Sequence, residues 1–173
     1  NQYDRGALYK VQYVVTRAGV FWNEVSLTDV RGNGLFGTYF VTNTLSGGAV
    51  TRVDSSIDFN WGRGAPTADG VIPADNFSVR WTGYVRPQYT ETYTFYVKAD
   101  DGTRLFINGM SVISQWDATP GGEHSGTVTM TSNVMHDITL EYKENTDNAL
   151  VEMKYASPSQ TKTTVPSSRL YPS

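Results

Sequence analysis

The chain has 173 residues, 14 basic against 17 acidic side chains, a net charge of −3 and no cysteine. That length holds a sizeable core, and 18% charged with 13% aromatic residues excludes a disordered chain. The composition also excludes a disulfide scaffold, a thiolate zinc centre and a cysteine nucleophile, and a pI near 5.3 gives no pull on nucleic-acid phosphates or anionic lipid.

In chain order, the first elements are two strands, residues 9–15 and 21–27, joined by Thr16-Arg17-Ala18-Gly19. An isolated hairpin is marginal in water, so this one predicts a partner domain or strands that lie elsewhere in a longer polypeptide. A composition seam follows at Gly32-Asn33-Gly34. Residues 42–74 are rich in Gly, Ser and Asp and read as loops with short strands, in which Ile57, Phe59 and Trp61 alternate and cover one end of a sandwich. Residues 77–85 are the clearest strand, with Val79, Trp81 and Val85 on one face and Arg80, Thr82 and Tyr84 on the other. A second strand spans 93–97. Residues 104–107 and 110–113 flank Asn108-Gly109, a hairpin signal because a type I′ turn needs positive φ at both central positions. Further strands are expected at 126–131, at 136–142 with Ile138, Leu140 and Tyr142 inward, and at 150–155. The tail, 157–173, reads either as a mucin-like linker or as a closing segment pinned by Leu170 and Tyr171. No stretch sustains helical periodicity, and no apolar run nears the roughly 20 residues of a membrane helix. The fold class is therefore all-β, an antiparallel β-sandwich.

Two stretches carry family resemblance. Tyr9, Val11, Tyr13, Thr16, Ala18, Gly19, Phe21, Val25 and Leu27 resemble the closing strands of a filamin-type immunoglobulin repeat, which places residues 1–33 at the end of such a repeat. Residues 34–173 resemble a PA14 domain, the β-sandwich of toxin components, glycosidases and flocculin-type adhesins. The match rests on Gly34-Leu35-Phe36-Gly37-Thr38-Tyr39-Phe40, on Tyr93-Thr94-Phe95, on Asp100-Asp101-Gly102-Thr103-Arg104-Leu105-Phe106-Ile107-Asn108-Gly109, and on Gln115-Trp116 and Leu140-Glu141-Tyr142. It implies a module of a larger extracellular or cell-surface protein.

Adjacent carboxylates at a strand end repel one another, and a hard divalent cation is the simplest counter-charge. In lectin-like PA14 members the paired aspartates bind calcium through a cis peptide, and the resemblance assigns that role to Asp100 and Asp101. A metal-free Asp-Asp-Gly turn is the competing reading. Further oxygens are expected from residues 144–148, where Asn145, Asp147 and Asn148 are the candidates. Exposed calcium positions could hold vicinal sugar hydroxyls, with Gln115, Trp116 and His124 as flanking contacts. For Trp116 a buried structural role, and for His124 a solvated loop position, compete with ligand contact. Arg80 and Arg104 are read as structural ion pairs near the acidic loops. No acid–base pair or nucleophile motif points to an enzyme. The expected function is calcium-dependent binding of glycans or glycoproteins, the alternative a spacer or protein–protein interaction domain packed against other domains of the same protein.

Overall fold

The computed structural model describes residues 32–117 and 121–173. The hairpin at residues 9–27, and with it the filamin-type reading, lies outside the described residues. Twelve strands run in order: β1 Leu35–Phe40, β2 Ala49–Asp54, β3 Asp58–Gly62, β4 Ser78–Val85, β5 Glu91–Asp100, β6 Gly102–Ile107, β7 Met110–Gln115, β8 Gly122–Met130, β9 His136–Lys143, β10 Ala149–Ser157, β11 Gln160–Thr164 and β12 Leu170–Pro172. Among the described residues they form two antiparallel sheets. One has the order β2-β1-β4-β9-β6-β7, with β12 also on β4; the other is β11-β10-β5-β8, with β3 on β10. The all-β sandwich expected from the sequence is the fold.

Alternation decides the core. Val79, Trp81 and Val85 of β4 are fully buried, as are Ile138, Leu140 and Tyr142 of β9, while Tyr93, Phe95 and Val97 face them from β5. Each such side chain contributes about 1.5–3 kcal/mol by leaving water. Phe59 and Trp61 of β3 stack at 4.9 Å, and Phe59 stacks on Trp81 at 6.0 Å, so the alternating aromatics of this segment do cover the core. Below them lies a polar knot. Asp54, only 6% exposed, accepts hydrogen bonds from Tyr39 Oη at 2.6 Å, Trp81 Nε1 at 2.7 Å and Arg52 Nε at 2.6 Å. Burial first, and then the Asp54 charge, push the Tyr39 phenol far above its ordinary pKa, so it stays a donor.

Asn108 and Gly109 take φ of 50° and 74°, the left-handed pair that the β6–β7 hairpin requires. On the outward side of the first sheet, Glu141 is buried between Arg80 Nη2 at 2.7 Å and Arg104 Nη2 at 2.6 Å, which makes both arginines structural ion-pair partners as expected. The tail is a closing segment. Leu170 is fully buried and Tyr171 is 7% exposed, and Val165, an anchor not evident in the sequence, is fully buried with its amide on the Met153 carbonyl at 3.3 Å. β12 extends along β4 beyond the end of β1, with Leu170 opposite Val85. The Gly34 amide donates to the Leu170 carbonyl at 3.1 Å, so the domain's entry and exit strands are laced together.

Candidate functional site

β5 belongs to one sheet and β6 to the other, and the chain passes between them through Asp100-Asp101-Gly102. The Asp100–Asp101 peptide is cis. The Asp100 carbonyl accepts from Tyr142 Oη, and Asp100 Oδ1 accepts the Gly121 amide at 3.3 Å. Asp101, 9% exposed, donates its amide to the Lys143 carbonyl at 3.3 Å and accepts the Asn145 amide on Oδ2 at 2.8 Å. The two carboxylates thus engage different neighbours, Asp100 the start of β8 and Asp101 the loop between β9 and β10.

Gly102 is fixed by space rather than by backbone angle. A Cβ there would stand 2.0 Å from the Trp116 carbonyl oxygen. Gly102→Ala is therefore expected to lower stability by about 2 kcal/mol through overpacking, read as a lower melting temperature in the presence of chelator.

The loop at residues 144–148 lies against the aspartate pair. Asn145 Oδ1 accepts from Asn43 Nδ2 at 3.0 Å, and the Asn145 carbonyl accepts the Asn76 amide at 3.0 Å. The Asp147 amide donates to Asp75 Oδ1 at 3.2 Å, while the Asp147 carboxylate pairs with Arg63 at 3.0 Å in the open. Asn148 joins Asp100, Asn60, Lys98, Ala99, Gly121 and Leu150 in lining a cleft of about 310 Å³. Asp100, Asp101, Asn145 and Asn148 are therefore brought together at one tip, and Asp147 is turned to a partner on its rim.

Glu144 was not among the residues picked from the sequence. It is fully buried, its Oε2 lies 2.8 Å from Tyr142 Oη and shares that hydroxyl's single proton with the Asp100 carbonyl, and its Oε1 has no hydrogen-bond partner among the described residues. Burial pushes its pKa up to about 8; the Tyr142 hydrogen bond opposes this, and the charges of Asp101, Asp100 and Asp75 add to it. Negative potential accumulates here, and the available donors are all hard oxygens. That chemistry fits calcium better than zinc. Among the described residues no three acidic or imidazole groups converge closely enough to hold a metal by themselves. A cation would be held by Asp100 and Asp101 with the amide oxygen of Asn145 and loop carbonyls completing the set, and Lys98 is the one basic side chain lining the cleft beside it.

The residues considered as flanking contacts lie away from the cleft. Gln115 is exposed at the end of β7, opposite Thr103. Trp116 is half-buried, with Arg104 at 4.2 Å and Lys143 at 5.2 Å from its ring centroid, so cations already cover it. His124 is in a strand, not a loop, because β8 begins at Gly122 and pairs His124 with Val97. None of the three lines the cleft. Lys98 and Asn60 do, and the alternation of β5, which sets Lys98 and Asp100 on one face, is the signal that could have found the lysine.

Two antiparallel sheets joined through a paired-aspartate crossover define a β-sandwich module whose candidate ligands sit on loops at one tip. Residues 32–169 match the PA14 domain model, and the chain belongs to that family. It is 42% identical over 142 residues to the anti-sigma-I factor RsgI3 of Acetivibrio thermocellus, covering 82% of this chain and 22% of that protein. An anti-sigma factor domain-containing protein from Clostridium clariflavum superposes with a TM-score of 0.77 at 42% identity, over 81% of this chain and 47% of that one. The chain thus spans less than half the length of these relatives. A PA14 sugar-binding domain from an RTX adhesin has the same fold, with a TM-score of 0.67 at 20% identity over 83% of this chain and 99% of that domain.

Proposed function

We propose that this domain is a calcium-dependent carbohydrate-binding module of a larger protein exposed at or beyond the cell surface. The observation that carries the reading is the placement of Asp100 and Asp101 against the 144–148 loop, beside the cleft shared by Asp100 and Asn148. A calcium ion there would supply open positions for two sugar hydroxyls, and this chain's residues would fix the ion and shape the cleft. That the RTX adhesin domain of the same fold is a sugar-binding domain supports the same role. Binding rather than catalysis is the reading for the whole described domain, and none of its helices is long and apolar enough to cross a membrane.

A second reading has its own support. The 42% relatives are named as anti-sigma factors, so the sandwich could serve such a protein as a spacer or protein-interaction domain without sugar. A glycan array probed with calcium and again with chelator separates the two. The expected result is a signal that calcium supports and chelator removes. No signal on the array leaves the scaffold role, and a signal that ignores the chelator overturns the calcium dependence.

A further inference from the structure

The cleft does not end at Asp100. Tyr93, Phe95, Val97 and Ala99 of β5 point into the core, so Thr92, Thr94, Tyr96, Lys98 and Asp100 form a file on the outer face of the five-stranded sheet. Cross-strand partners share a face, and the register puts Ser125 and Lys154 on either side of Tyr96. Tyr96 is the one aromatic in this file and is partly exposed. Its ring is covered by Lys162 Nζ at 3.9 Å, and that lysine is tethered to Glu123 at 2.6 Å with both side chains about 40% exposed. A solvated lysine of this kind is a cap that a ligand ring can displace. The neighbouring charges are paired among themselves, Lys154 with Glu152 and Lys162 with Glu123, and the far part of the file is hydroxyl-bearing, with Thr92 and Thr129 bonded at 3.0 Å. The strip suits a neutral polyhydroxyl chain rather than a polyanion.

We infer that the outer face of the five-stranded sheet continues the tip cleft as a track for an extended neutral polysaccharide, with Tyr96 stacking on a sugar ring beyond the one at the tip. This rests on the carbohydrate-binding reading and names its substrate class as an internal stretch of a polymer, not a single terminal sugar. The four residue steps from Asp100 to Tyr96 span about 13 Å of strand, room for roughly two to three pyranose units. Lys98, lying between them in the file, is within the same strip to donate hydrogen bonds.

The test uses the 173-residue chain, its Tyr96→Ala and Lys162→Ala variants, and an array of neutral hexose oligomers of one to six units with and without calcium. Wild type is expected to show calcium-dependent binding that rises about tenfold from monomer to tetramer, the ratio that ~1.4 kcal/mol supplies. Tyr96→Ala should keep the monomer signal and lose the rise, with an unchanged melting temperature. Lys162→Ala, by uncovering the ring, should steepen the rise. A length-independent wild-type signal, or a rise that survives in Tyr96→Ala, overturns the track while leaving the tip site standing. No calcium-dependent binding to any oligomer overturns both.

Discussion

Asp54→Ala is expected to cost about 4 kcal/mol and to lower the melting temperature by roughly 12 °C. The carboxylate is the single acceptor that joins Tyr39, Trp81 and Arg52. Removing it strands the Tyr39 hydroxyl and the Trp81 indole N–H in the core, and each unmet donor costs about 1–3 kcal/mol. Arg52 loses its counter-charge but keeps bonds to the Pro66 carbonyl and Tyr39 Oη, and its side chain is 38% exposed, so its loss is partly recovered by water. Asp54→Asn retains one acceptor and should cost about half as much. Urea unfolding of the two variants checks this. Equal stability of Asp54→Ala and wild type would mean that the knot is no more than a solvated contact.

Asp101→Asn should erase stabilisation by calcium while leaving the calcium-free protein near its original stability. The amide can still accept the Asn145 N–H, so the loop stays anchored, but the charge that would hold a divalent ion is gone. At a calcium concentration one hundred times the dissociation constant, binding to the native state adds about 2.7 kcal/mol, roughly 8 °C for a domain of this size. Melting curves with calcium and with chelator are the measurement. A wild-type protein that melts identically in the two, or a variant that keeps the full increment, removes Asp101 from the role.

Strands with one face in the core were legible. β4, β6 and β9 announce themselves because apolar and polar side chains alternate, and β7 because Asn108-Gly109 marks a turn before it. β2, the first half of β8 and β11 were not, because their side chains are largely exposed and their pairing rests on the neighbouring strand's backbone rather than on an apolar period. His124 was misplaced for that reason, since Gly-Glu-His-Ser-Gly looks like a loop until β5 is laid beside it. At the site, Asp100-Asp101-Gly102 was legible as a local motif. Asn43, Asp75 and Glu144 were not, because their relevance comes from contacts across long stretches of chain, as with Asn43 and Asn145, and from a burial that no local pattern reports. Trp116 illustrates the converse. Its position was foreseen, but the two cations covering its ring come from other strands.

The lacing of Gly34 to Leu170 also has a position along β4. Leu170 pairs with Val85, which pairs with His136, whereas Ser78 at the other end of β4 pairs with Lys143, whose neighbour is Gly102. β1 is accordingly entered at the pole remote from the aspartates, and β12 starts at that same pole and runs back along β4 as far as Ser173, whose hydroxyl meets Thr82 at 3.1 Å. The lacing and the aspartate tip therefore sit at opposite ends of β4, so a substitution that loosens one is separated from the other by the full length of that strand.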